Sequence, residues 1–158
     1  MPDKIDPRDK KILIVDDDDT VLDFVSFTVA RDGFQVYTAK DGDEAFNKIT
    51  EIKPDLIVLD MMIPKKGGFE IIKMIQTGDY WKIPVIVVTG RYTDDKFRNN
   101  VLFEPNVKDF IVKPAKAPYL MSKIHTLLNT ISPEEKSADE KRRQLEERLK
   151  PKQDTGDN

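Results

Sequence analysis

The chain has 158 residues, a net charge of −3 and no cysteine; 39% of residues are hydrophobic and 35% charged. The absence of cysteine excludes disulfides, thiolate metal sites and a cysteine nucleophile. The near-balanced charge advertises no large basic surface for nucleic acid, and no apolar run approaches the roughly 18–20 residues of a membrane span. Met1-Pro2-Asp3-Lys4 begins without an apolar segment of the signal-peptide kind. A cytoplasmic protein is expected, with one domain and a tail.

Residues 1–10 are charged, carry Pro2 and Pro7, and read as a loose leader. Ile12-Leu13-Ile14-Val15 is a buried-strand run that leads into Asp16-Asp17-Asp18-Asp19. Asp18 or Asp19 can cap the following helix, since an Asx side chain accepts from free first-turn N–H groups. That helix is expected to bury Val21, Val25 and Val29 and to stop at Gly33. Gln35–Ala39 is a second short strand, and Asp41-Gly42-Asp43 a turn and cap. A second helix places Ala45, Ile49 and Ile52 on one face and ends at Lys53-Pro54.

Leu56-Ile57-Val58-Leu59 is a short apolar run that ends on Asp60. Such a run reads as a strand buried on both faces of a parallel sheet. The loop 61–68 follows, then a helix with Ile71, Ile72 and Ile75 apolar that runs out by Gly78. Val85–Val88 is a fourth strand ending on Thr89-Gly90. Residues 94–102 have helical character before Pro105 and Asn106 interrupt. Asp109–Val112 is a fifth strand ending on Lys113-Pro114, and a last helix after Pro118 carries Leu120, Ile124, Leu127, Leu128 and Ile131. Strand and helix alternate five times, which predicts an α/β fold: a doubly wound five-stranded parallel sheet with helices on both faces. The domain is expected over 11–131.

Residues 132–158 form a charged tail, partly helical or disordered. Ser132-Pro133-Glu134-Glu135 is a good helix start, with Glu three residues after the Ser cap. Only Leu145 and Leu149 are large and apolar beyond it. The tail reads as a solvated helix, or as one that pairs with a partner. Its interleaved acids and bases argue against a nucleic-acid arm.

Four strand ends thus deliver Asp16/Asp17, Asp60, Thr89 and Lys113 to the carboxyl edge of one sheet, where ligands bind in open α/β folds. Clustered carboxylates repel unless a cation sits between them, and Mg2+ is the natural partner for hard oxygen ligands, with Mn2+ as an alternative. A lysine ammonium suits a phosphate oxygen, and a threonine hydroxyl can donate to one. The set describes a phosphoryl-transfer site with Asp60 as nucleophile, forming an aspartyl phosphate. His125, the one histidine, reads as a surface or boundary residue and not a phosphodonor. Met61 and Met62 read as loop packing.

Ile12–Asp17 (ILIVDD), Leu56–Asp60 with Met61-Met62-Ile63-Pro64 and Gly68, Val85–Gly90 (VIVVTG) and Phe110–Pro114 (FIVKP) together resemble the receiver domain of the two-component response-regulator family. The resemblance covers roughly residues 10–131 and implies a flavodoxin-like fold. It implies that Asp60 is the phosphoacceptor, charged by a sensor histidine kinase or a histidine phosphotransfer protein. It further implies that Asp17 and Asp60 ligate Mg2+ directly, Asp16 through water, and the Met62 carbonyl as well. Thr89 would hydrogen-bond the phosphoryl group, Lys113 would pair with one of its oxygens, and Phe110 would be the switch aromatic that turns inward. The Lys113–Pro114 bond would be cis. Met62 and Arg91 occupy positions that tune water access in the family.

The resemblance implies a signalling protein that catalyses only its own phosphoryl transfer and dephosphorylation. A stand-alone, chemotaxis-regulator-like receiver is expected, since an output module of roughly 60–100 residues would not fit. Its output would be a downstream protein target and a phosphorylation-dependent dimer, with no nucleic acid or membrane. Residues 91–109, with Glu104-Pro105-Asn106, depart from the family pattern and put the output face in question. Gly67 stands where Asp or Asn is common, a change expected to be harmless. Two rivals remain. One is a degenerate receiver that binds partners without phosphate. The other is a haloacid-dehalogenase-type phosphatase in which Asp16 is the nucleophile, Asp18 the acid/base, and Thr89 and Lys113 the later motifs.

Overall fold

A computed structural model describes residues 3–91 and 93–152. Its strands are β1 (Lys11–Val15), β2 (Gln35–Ala39), β3 (Leu56–Leu59), β4 (Val85–Thr89) and β5 (Val107–Val112). Its helices are α1 (Asp19–Arg31), α2 (Gly42–Ile52), α3 (Gly68–Ile75), α4 (Asp95–Leu102), α5 (Ala117–Leu128) and α6 (Pro133–Leu149). The strands form one parallel sheet in the order β2-β1-β3-β4-β5. This is the doubly wound sheet expected from the sequence.

The pleat sends alternate residues to opposite faces. Leu13, Val15, Ile57, Leu59, Val85 and Val87 pack with α2, α3 and α4. Ile12, Ile14, Leu56, Val58, Ile86 and Val88 pack with α1 and α5. Both faces are covered, which is why these strands read as unbroken apolar runs. None of the described helices is long and apolar enough to cross a membrane.

Several boundaries differ from the sequence expectation. The buried stripe of α1 is Leu22, Val25, Thr28 and Val29, and Val21 is only half-buried. The Asp18 side chain fixes the start of α1 by accepting from Thr20 and Val21 N–H, and the inward face follows from that phase. Strand β5 begins at Val107, two residues early, because Lys108 is an extra residue between the pairs Val85↔Val107 and Ile86↔Asp109. Such a bulge hides the strand's start from a pattern search. Helix α5 stops at Leu128, where Asn129 takes a left-handed conformation (φ 52°). Ile131 therefore lies beyond the helix and donates its N–H to the Ile5 carbonyl.

That contact ties down the leader. Ile5 N–H donates to the Asn129 carbonyl, Ile5 bridges Thr130, and Pro7–Asp9 forms a short 3-10 turn with Pro7 buried. Residues 5–10 are thus part of the folded unit and not a loose leader; Met1 and Pro2 lie outside the described residues. In the tail, α6 has a complete capping box at Ser132 and Glu135 and buries no residue. Residues 153–158 of the tail lie outside the described residues.

Candidate functional site

Strand register brings the acidic residues together. Val15 pairs with Leu59, so the next residues, Asp16 and Asp60, leave the sheet side by side. Asp60 N–H donates to the Val15 carbonyl at 2.9 Å. The carboxylates of Asp16, Asp17 and Asp60 each offer an oxygen, and these oxygens lie within 4.8 Å of one another. Asp16 and Asp60 are buried, and Asp17 is exposed.

Lys113 directly follows the end of β5 and is joined to Pro114 by a cis peptide. Its N–H donates to the Thr89 carbonyl at 2.9 Å, locking the ends of β4 and β5. Its Nζ lies 2.7 Å from Asp16 Oδ2 and 2.9 Å from Asp60 Oδ2. The remaining oxygens shape the loops: Asp16 Oδ1 accepts from Asp18 N–H at 2.9 Å, and Asp60 Oδ1 from Met62 N–H at 3.1 Å. Burial pushes the Asp16 carboxyl above its ordinary value, with Asp60's charge adding to the rise and Lys113 opposing it. Burial pulls Lys113 down, but the two carboxylates outweigh it and leave its ammonium raised. The cluster holds more negative charge than one lysine balances, a donor set of hard oxygens that fits a divalent cation.

Two glycines let the loop after Asp60 pack closely. A Cβ on Gly42 would stand 2.0 Å from the Lys66 carbonyl oxygen, and one on Gly68 would stand 2.6 Å from Met61 Cα. Gly42 N–H also donates to the Pro64 carbonyl. By sequence Gly42 is a turn residue; the close approach is set by Lys66, more than 20 residues away, and has no local signal. Gly67 is the N-cap of α3 and provides no side-chain hydrogen bond.

Thr89 is fully buried, and its hydroxyl makes a long hydrogen bond of 3.4 Å to the Arg91 carbonyl. Phe110 points inward and is buried; its ring meets Phe97 of α4 edge-on at 6.1 Å, and Phe97 meets Phe69 of α3 at 5.8 Å. Met62 is half-exposed and Arg91 exposed beside the site. Asp18 caps α1, its Oδ1 accepting from Thr20 and Val21 N–H.

The segment that departed from expectation is anchored by a polar lock. Glu104 is buried, with its carboxylate accepting from Lys73 at 2.7 Å and Gln76 at 2.6 Å. Asn106 accepts from Gln76 and donates to the Ile72 carbonyl. His125 is buried, and is not the surface or boundary residue expected from the sequence. Its Nε2 lies 2.8 Å from Asp32 Oδ2 and its Nδ1 2.7 Å from Thr130 Oγ1. Thr130 is five residues further along, but Asp32 lies at the end of α1, 93 residues away, and the sequence does not mark that partner.

Fold and edge together define a doubly wound α/β protein with an acidic, lysine-bridged centre at the carboxyl ends of its strands. The sequence matches the response regulator receiver domain over residues 12–125, and the chain belongs to that family. It is 34% identical over 119 residues to the alkaline phosphatase synthesis transcriptional regulatory protein PhoP of Bacillus subtilis, covering 75% of this chain and 48% of that protein. It is 34% identical over 126 residues to the phosphate regulon transcriptional regulatory protein PhoB of Escherichia coli, covering 78% and 54%. The chain therefore spans about half the length of the curated relatives it matches. Among solved structures, the chemotaxis response regulator CheY4 of Vibrio cholerae superposes with a TM-score of 0.68 at 28% identity, over 75% of this chain and 98% of that one.

Proposed function

We propose that this chain is a phosphoacceptor of a two-component phosphorelay, with Asp60 as the phosphorylated residue. The observation that carries the reading is the ammonium of Lys113 set between Asp16 and Asp60, at 2.7 and 2.9 Å, with the Asp17 carboxylate in the same cluster. Receiver domains take their phosphoryl group from histidine kinases or phosphotransfer proteins and bind Mg2+ through such an aspartate cluster.

An oxygen of Asp60 attacks the phosphorus of a partner's phosphohistidine. The P–N bond breaks as the P–O bond forms, and the imidazole departs with the electron pair and takes up a proton. Lys113 turns from Asp60 to a phosphoryl oxygen, and the Thr89 hydroxyl leaves its weak bond to Arg91 to donate to another. Asp16, Asp17, Asp60 and the Met62 carbonyl would hold the ion. When bound, Mg2+ neutralises charge on the transferring group. The chain acts only on its own aspartate.

Switching is a population shift that needs a few kcal/mol of preference for one arrangement. Phe110 and Phe97 link the Thr89 end of β4 to α4, and that face is the proposed output to a protein target and to a phosphorylation-dependent dimer. The test is intact-mass measurement after incubation with a small phosphodonor and Mg2+. One added phosphoryl group, lost in Asp60→Asn, is expected. No mass gain favours the degenerate receiver, and a label trapped on Asp16 overturns the assignment.

A further inference from the structure

Helix α6 carries an apolar stripe that its own domain does not cover. Ser132, Pro133, Lys136, Asp139, Glu140 and Arg143 line a cleft of about 650 Å³ between α6 and the Arg8/Arg31 edge of the domain. At 3.6 residues per turn these six share one side of the helix, and Ala138, Leu145 and Leu149 fall on the opposite side. Leu145 and Leu149 are 57% and 73% exposed. The stripe faces away from the body and cannot be buried against it.

Charge along α6 is segregated. Residues 133–140 hold four acids and one base, and residues 141–150 hold five bases and two acids. A parallel pair of such helices would set like against like at both ends. An antiparallel pair sets the acidic half of each against the basic half of the other.

We propose that the outward face of α6 is an interface with α6 of a second copy of this chain, in antiparallel orientation. A two-fold axis between Lys141 and Arg142 lays Ala138 against the partner's Leu145 and sets Glu134 beside the partner's Arg148, while Glu135 stays with its capping box and Lys4. Lys141 and Arg142 meet across the axis as the one like-charge contact. The apolar seam is small, so the pairing is weak and tightens only with concentration. It does not depend on chemistry at Asp60. Acids first and bases last also suit the helix dipole of a solvated helix, and the experiment separates the two.

The chain has no cysteine, so single cysteines report pairing cleanly. Glu134→Cys and Arg148→Cys proteins, mixed in equal amounts and mildly oxidised, differ in mass and give three distinguishable disulfide dimers. The mixed 134–148 dimer is expected almost alone. Dimers of 134 with 134 and of 148 with 148 in excess would show parallel pairing and overturn the proposal. A statistical mixture, formed no faster than by Glu51→Cys on exposed α2, would show a solvated helix and overturn it too. Sedimentation equilibrium of the unmodified chain adds a second reading. Concentration-dependent dimer is expected, and the double change Leu145→Ser, Leu149→Ser is expected to abolish it with no loss of fold, since neither residue is buried.

Discussion

Lys113 Nζ stands 2.9 Å from Asp60 Oδ2, a contact between residues 53 apart in the chain. It also stands 2.7 Å from Asp16 Oδ2, so one ammonium serves two buried carboxylates. Lys113→Ala leaves both without it. The metal-free variant is expected to lose about 1–3 kcal/mol, the cost of buried charged groups left unpaired. Mg2+ is expected to restore more stability to the variant than to the unmodified chain, because the ion no longer competes with an ammonium. Thermal unfolding with and without Mg2+ measures both effects.

Gly42 makes the loop after Asp60 fit. Gly42→Ala places a methyl 2.0 Å from the Lys66 carbonyl oxygen, so the loop must move. Strain of about 1–3 kcal/mol is expected, by analogy with overpacking. A slower rate of phosphoryl uptake should accompany it. Gly67→Ala is the control, since nothing lies within 4 Å of its Cβ. Intact-mass time courses for the two variants make the comparison.

Glu104 should give an acid-sensitive contribution to stability. The ammonium of Lys73 and the amide of Gln76 hold its carboxyl below the usual 4.5. A depressed folded pKa stabilises the native state above the unfolded value, and this is lost as pH falls through the lower, folded value. Glu104→Gln is expected to be less stable by roughly 1–2 kcal/mol at neutral pH. The gap between the two proteins should close as the solution is acidified below about pH 4.5, the unfolded carboxylate range. Denaturant titrations across that range read the gap directly.

His125 fastens the leader and the base of α6 to the domain. His125→Ala leaves the buried Asp32 carboxylate and Thr130 hydroxyl without their ring partners, at a cost of about 1–3 kcal/mol. Faster amide exchange is expected at Ile5 and Ile131, whose N–H groups close the adjoining bridge. Exchange in β1 and β3 should rise only as far as global stability falls. A uniform rise across the chain would sink the clasp.

Phe110→Ala is expected to cost about 3–5 kcal/mol, since the ring is buried and braced by Phe97. Phe97→Leu is the gentler variant. It should leave Mg2+ binding unchanged while shrinking the spectral response of α4 to phosphorylation. NMR shifts of residues 95–102, recorded before and after phosphorylation, test this.

Local pattern determined much of this protein. Four apolar runs, each bounded by turn residues, were legible as β1, β3, β4 and β5. Their ends already named Asp16, Asp17, Asp60, Thr89 and Lys113. Ser132 and Glu135 announced α6 through its capping box. These features are local because burial on both faces of a parallel strand demands an unbroken apolar run, and a cap acts within one helical turn. Tertiary structure decided the rest. It buried His125 between Asp32 and Thr130, docked residues 5–10, and moved the start of β5 back through the Lys108 bulge. It also turned Glu104-Pro105-Asn106 from an interruption into a lock on α3. In each case at least one deciding partner lies far along the chain, and one sequence records no pairing at that distance.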